Sequence, residues 1–126
     1  MENVCRVLIV DDEYLMRQGI KFMIKKETEK YEIVGEASNG KEALELIPEL
    51  KPQIILCDIV MPVMDGLELI RTVSREFPEI RTVALSGYDN QEYMKEALDG
   101  GASEYFLKPM LNPARLLELL DKTAIF

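Results

Sequence analysis

The segment IILCDIVMPVMDG (residues 54–66) decides how this chain is read. Residues 54–57 are apolar at every position, which suits a strand covered on both faces. A lone carboxylate, Asp58, stands where that strand ends. Behind it come Met61-Pro62 and then Asp65-Gly66, a turn and helix-start signal with no chemistry of its own. A buried strand that delivers one acid to its carboxyl end raises the question of what else reaches that end.

Strands and helices alternate on both sides of this segment. Residues 6–10 are a short β-branched-rich run stopped by Asp11, Asp12 and Glu13. Leu15, Ile20, Met23 and Ile24 lie at helical spacing, predicting a helix from Tyr14 to about Glu29. Residues 31–37 form a more polar strand broken by Asn39-Gly40. Ala43, Leu44, Ile47 and Leu50 then mark a helix closed by Lys51-Pro52. Beyond the central strand, Leu67, Leu69, Ile70 and Val73 mark a helix ending near Phe77-Pro78. Residues 82–85 are a fourth strand, 91–98 a helix stopped by Gly100-Gly101, and 104–107 a fifth strand before Lys108-Pro109. Asn112-Pro113 supplies a cap and a first-turn proline for a last helix through about Thr123. The pattern predicts an α/β fold: a flavodoxin-like, doubly wound, five-stranded parallel sheet in order 2-1-3-4-5 with helices on both faces. The 126 residues suit one domain, without internal repeats or low-complexity segments.

Composition narrows the function. Hydrophobic residues make up 48% and charged residues 30%, as in soluble globular chains. No apolar run reaches the roughly 18 residues that a membrane span needs. The start, MENVCRVLIVDDE, is no signal peptide, because its apolar stretch is short and ends in acids. Cys5 and Cys57 are too few for a disulfide scaffold, and the cytoplasm is the simpler location. A net charge of -8 argues against direct nucleic-acid binding by this domain. There is no histidine, which removes the commonest general base and transition-metal ligand. Chemistry here falls to carboxylates, hydroxyls, a lysine or a borrowed metal.

In such a sheet, sites form beyond the carboxyl ends of the strands, where the strand order switches. Strand one delivers Asp11 and Asp12, strand three Asp58, strand four Ser86 and strand five Lys108; strand two offers nothing titratable. Two charges about 4 Å apart repel by roughly 4 kcal/mol at an effective dielectric near 20. Clustered acids therefore raise their pKa values or take a cation. An incomplete set of hard oxygen ligands suits Mg²⁺, which keeps several waters and often holds a phosphoryl group. Each residue alone has a bland reading: Asp11 and Asp12 as caps, Ser86-Gly87 as a turn, Lys108 as a solvated lysine. Met16, Met23 and Met94 read as packing. The weight lies in the conjunction at four of five strand ends.

VLIVDDE, CDIVMPVMDG, LSGY and GGASEYFLKP, in this order and spacing, resemble the receiver domain of two-component response regulators over essentially the whole chain, 1–126. The resemblance implies that Asp58 is the phosphoacceptor, receiving a phosphoryl group from a sensor histidine kinase. It implies Mg²⁺ as cofactor, held directly by Asp12, largely through water by Asp11, and by Asp58 and the backbone carbonyl of Val60. Ser86 would be the switch hydroxyl, Tyr105 the switch aromatic drawn inward on phosphorylation, and Lys108 the phosphate-pairing lysine with a cis Lys108-Pro109 bond. The domain would assist its own phosphorylation and dephosphorylation without being a turnover enzyme.

Apolar Val60 and bulky Tyr88 depart from commoner patterns and are expected to shield the acyl phosphate from water. Ser86 in place of threonine keeps the hydroxyl, so switching should survive. The output is expected to be a DNA-binding transcription regulator joined beyond this chain, of a type with an AraC-like helix-turn-helix, which LSGYD resembles. A stand-alone receiver or phosphorelay module is the alternative. Tyr93, Met94, Lys95 and the last helix are a candidate dimer face with the fifth strand. Three rivals read less well. A haloacid-dehalogenase-type phosphotransferase needs an aspartate where Val60 stands. A dinucleotide-binding fold needs glycines where the first loop is acidic. A degenerate receiver would lack key positions that are all present.

Overall fold

The computed structural model describes residues 4–27 and 29–124. At its centre, β3 (Ile54–Asp58) is buried at all five positions. It pairs in parallel with β1 (Cys5–Val10) on one side and β4 (Arg81–Ser86) on the other. β2 (Tyr31–Ala37) and β5 (Glu104–Leu107) close the edges, giving the order β2-β1-β3-β4-β5. This is the predicted sheet. The connecting helices are α1 (Tyr14–Glu27), α2 (Gly40–Leu50), α3 (Gly66–Glu76), α4 (Gln91–Asp99) and α5 (Pro113–Thr123).

Strand alternation sends side chains to two layers. Val7, Ile9, Ile54, Leu56, Val83 and Leu85 pack with Ile20 and Ile24 of α1 and with Leu116, Leu119 and Leu120 of α5. On the other face Leu8, Val10, Ile55 and Cys57 pack with Ala43 and Ile47 of α2 and with Leu69 and Val73 of α3. A smaller cluster of Ile59, Leu67, Ile70, Ala84, Ala97 and Ala102 lies beneath α4. Side-chain oxygens of Asn39, Asp65, Asn90 and Asn112 accept backbone N–H groups at the starts of α2, α3, α4 and α5. Such caps contribute about 1 kcal/mol each. Among the described residues no helix is long and apolar enough to cross a membrane.

Several details differ from the sequence reading. α1 ends at Glu27, and Thr28, inside the predicted helix, lies outside the described residues. β3 and β4 each run to include the residue expected just after them, Asp58 and Ser86. Between Val7 and Leu8 the pairing with β2 jumps from Ile33 to Gly35, leaving Val34 as an extra residue. The expected cis Lys108-Pro109 bond is corrected: among the described residues no peptide bond is cis. The chain instead enters a 3₁₀ turn, Lys108–Met110, closed by Leu111 N–H donating to the Lys108 carbonyl at 3.0 Å. Pro109 stands at the first central position of that turn, where trans proline is favoured; cis proline belongs at the second.

Candidate functional site

Asp58 is the last residue of β3 and only 8% exposed. Its Oδ1 accepts the Ile59 N–H at 2.8 Å. The chain behind it is seated by Gly66, whose N–H donates to the Ile59 carbonyl at 2.8 Å. A Cβ at Gly66 would collide with the Asp58 carbonyl oxygen and stand 2.9 Å from the Ile59 Cα. The start of α3 thus lies directly on the end of β3, and glycine is what permits the approach. In the loop between, Val63 takes the left-handed region with φ 68°, and the Met64 N–H donates to the Pro62 carbonyl at 2.8 Å. A β-branched residue in that region is strained by roughly 1–3 kcal/mol.

Asp11 and Asp12 follow β1, one buried and one exposed. One carboxylate oxygen from each of Asp11, Asp12 and Asp58 lies within 4.8 Å of the other two. Lys108 reaches in from the end of β5, with Nζ 2.7 Å from Asp11 Oδ2 and 3.3 Å from Asp58 Oδ1. Glu13 adds a longer contact to the same ammonium at 3.8 Å. Burial, then the charge of Asp11, pushes the Asp58 carboxyl up to about 6; Lys108 works against both. Burial opposes the Lys108 ammonium, but its bonds to Asp11 and Asp58 outweigh that and hold its pKa above the ordinary value. Beneath them Cys57 is fully buried, its thiol pushed up by burial and by the nearby acids, and it donates to the Asp58 carbonyl at 3.1 Å. This sulfur belongs to the core.

A cleft of about 580 Å³ opens over the cluster, bounded by Asp12, Asp58, Val60, Gly87, Tyr88 and Lys108. The donors are hard oxygens, charged, and too few to complete an octahedron, which fits Mg²⁺ with several waters. Val60 and Tyr88 stand at the mouth, 46% and 58% exposed.

The other half of the rim is differently engaged. Ser86 is fully buried. Its Oγ accepts the Tyr88 N–H at 3.0 Å and donates to the Tyr88 carbonyl at 3.2 Å. The Tyr105 hydroxyl donates to that same carbonyl at 2.9 Å. Ser86 and Tyr105 therefore share one acceptor. Tyr105 is half-buried in this arrangement. The Tyr88 and Tyr93 rings meet edge to face, 6.2 Å between centroids.

The structure thus gathers Asp11, Asp12, Asp58 and Lys108 and holds Ser86 and Tyr105 one layer away. The sequence reading missed Gly66 as the seat of Asp58, because Asp-Gly before a helix reads as punctuation. It missed Glu36 on β2, which accepts from Arg17, Gln18 and Lys21 of α1. Charged residues on separate elements carry no joint signal in the sequence.

The family model described as the response regulator receiver domain matches residues 7–121. The chain is 40% identical over 119 residues to the chemotaxis protein CheY of Thermotoga maritima, covering 94% of this chain and 97% of that one. It is 38% identical over 117 residues to the transcriptional regulatory protein YesN of Bacillus subtilis, covering 93% of this chain but 32% of the relative. A solved structure of a CheX-CheY-BeF3-Mg+2 complex from Borrelia burgdorferi superposes with a TM-score of 0.85 at 26% identity, covering 94% of this chain and 88% of that one.

Proposed function

The chain belongs to the response regulator receiver domains, and from that premise we propose that Asp58 accepts a phosphoryl group from a sensor histidine kinase. The observation that carries this reading is the convergence of Asp58, Asp11, Asp12 and Lys108 at the carboxyl ends of three strands. A carboxylate oxygen of Asp58 attacks phosphorus, and the bond from phosphorus to the kinase imidazole breaks. An acyl phosphate forms and the imidazole leaves, taking its proton from solvent. Above its pKa of about 6, Asp58 is ionised and ready to attack. Lys108 turns from its carboxylate partners toward the phosphoryl oxygens. Phosphoryl transfer needs positioning and charge neutralisation above all, and the cluster supplies both. Asp11, Asp12, Asp58 and the Val60 carbonyl would hold Mg²⁺, which when bound neutralises phosphoryl oxygen charge.

The acyl phosphate carries about -1.5 to -2 charge. Its oxygens compete with the Tyr88 carbonyl for the Ser86 hydroxyl. When Ser86 leaves, Tyr105 becomes sole donor to that carbonyl, and the α4-β5-α5 face, a candidate dimer surface, repacks around it. The phosphoryl group biases this change through contacts that differ between the two states. The domain is not a turnover enzyme in this reading, since Val60 stands where a hydrolase would need a proton donor. The cytoplasm is its place of action. The output we favour is a covalently attached DNA-binding effector, as the chain spans about a third of YesN. A stand-alone receiver matches the near-complete coverage of the CheY relative.

The test is labelling with acetyl phosphate and Mg²⁺. The parent chain takes up one phosphoryl group and Asp58→Asn none; equal labelling of the two would remove Asp58 as acceptor. A second measurement concerns lifetime. Val60→Asn brings a polar group that can orient water to the cleft mouth, so its acyl phosphate decays several-fold faster than the parent's, and an unchanged decay rate would show that Val60 is no shield.

A further inference from the structure

Asp58 is anchored by β3, but the acid pair stands on a loop. The last pairing of β1 with β2 is Val10 with Ala37, followed by one further bond from Asp11 N–H to the Ala37 carbonyl at 3.0 Å. Asp12 lies beyond it and is exposed, so the backbone it grows from sets where its Cα–Cβ bond points. The Asp11 carbonyl belongs to the planar peptide that joins Asp11 to Asp12. Whatever holds that carbonyl holds the plane, and with it the Asp12 Cα.

Arg17, one turn into α1, holds it. Its Nη1 donates to the Asp11 carbonyl at 2.6 Å, while its Nε donates to Glu36 Oε1 at 2.9 Å. The guanidinium is a rigid fork, so fixing one arm aims the other. Glu36 in turn is fixed from two more directions, by Gln18 Nε2 at 3.0 Å and by Lys21 Nζ at 2.8 Å. The Arg17 side chain is 15% exposed and lies over the Tyr14 ring, 5.6 Å from its centroid. Lys21 differs from Arg17 in one respect that matters: it binds the same Glu36 carboxylate, is 39% exposed, and reaches Glu36 without touching Asp11.

We propose that Arg17, aimed by Glu36, is a positioning residue for the acid pair: it locks the Asp11-Asp12 peptide and so presets the carboxylates for a divalent cation. The proposal rests on the receiver reading and adds two residues to it. Partners that orient ligands from behind typically change metal affinity by about 10–100-fold when removed.

The experiment is calorimetric titration of the 126-residue chain with MgCl₂, with thermal unfolding measured on the same samples. Arg17→Met weakens Mg²⁺ binding by about 10-fold. Lys21→Met, which also strips a cation from Glu36, lowers the unfolding midpoint but leaves Mg²⁺ affinity within about twofold, because it leaves the Asp11 carbonyl bound. Arg17→Lys keeps the charge but not the fork and falls between. Equal losses of Mg²⁺ affinity in Arg17→Met and Lys21→Met, or none in Arg17→Met, overturn the proposal. If Arg17→Met does not fold, Arg17→Lys against Lys21→Met decides by the same comparison. A parent chain that binds no Mg²⁺ and takes no label from acetyl phosphate overturns the receiver reading itself. A parent that does both, with Arg17 variants unaffected, overturns only the role given to Arg17 and Glu36.

Discussion

The rim of the sheet has a clamped half and a loose half. On the β1–β2–α1 side, Arg17, Lys21, Glu36, Asp11 and Lys108 are joined by charged hydrogen bonds of 2.6–2.9 Å. They sit over a layer of valine, isoleucine and leucine. On the β4–α4 side the bonds are neutral, from Ser86, Tyr88 and Tyr105, at 2.9–3.2 Å. There α4 buries a single residue, Ala97, where α3 buries five, and the cluster beneath α4 is half alanine. Hydrogen bonds involving a charged group contribute roughly 1.5–3 kcal/mol and neutral ones about 0.5–1.5 kcal/mol. Alanine adds little apolar area to either side of the balance. The acceptor can therefore stay rigid while the neighbouring helix changes its packing at small cost.

The largest effect should come from the junction that seats Asp58. Gly66→Ala forces a methyl group into the Asp58 carbonyl, which β3 cannot move. We expect a loss on the order of 3–5 kcal/mol in urea unfolding. A loss under about 1 kcal/mol would show that the acceptor strand yields and that Asp58 is not rigidly seated beside the clamp.

Next is Asp58→Asn without metal. The Asp58 carboxyl is raised from its ordinary 3.8 to about 6, first by burial and then by Asp11. The folded state thus holds this proton more tightly than the unfolded chain does. The contribution of this one group is fully present below about pH 4 and is lost as pH rises through about 6. Asparagine removes that penalty, so the variant gains up to about 2–3 kcal/mol at pH 7.5 and nothing below about pH 4. A gain independent of pH would place its origin outside the ionisation of Asp58.

The smallest effect belongs to the loose half. Tyr105→Phe removes one partly exposed hydroxyl from an acceptor that keeps its Ser86 donor. Thermal unfolding should register about 1 kcal/mol or less. A loss above about 2 kcal/mol would make Tyr105 a structural member and erase the contrast between the halves.

Much of this was legible in the sequence because it rests on local pattern. Five strand-like runs alternating with helical spacing, the central one apolar throughout, point to a parallel sheet, since a buried strand needs cover on both faces. Asp11, Asp58, Ser86 and Lys108 could be read as rim residues because each follows directly on a strand. The helix starts at Asp65 and Asn112 carry their own cap chemistry. Less local features escaped. A cis bond at Lys108-Pro109 was expected, but the 3₁₀ turn takes the trans isomer. Val63 in the left-handed region has no signature, since nothing about valine favours it.

The sequence by itself therefore determined which elements form, their order, and which acids, hydroxyl and ammonium reach the rim. Those follow from side-chain periodicity and chain direction. Tertiary structure alone decided how these groups are held. Ile33 and Glu36 are three residues apart, and simple alternation would send them to opposite faces. The extra residue in β2 brings both to the α1 side, where Ile33 packs into the core and Glu36 meets Arg17. Likewise Gly66 became the seat of Asp58 only through the distance between β3 and α3. A register shift and a backbone contact are relations between segments, and neither segment carries them alone.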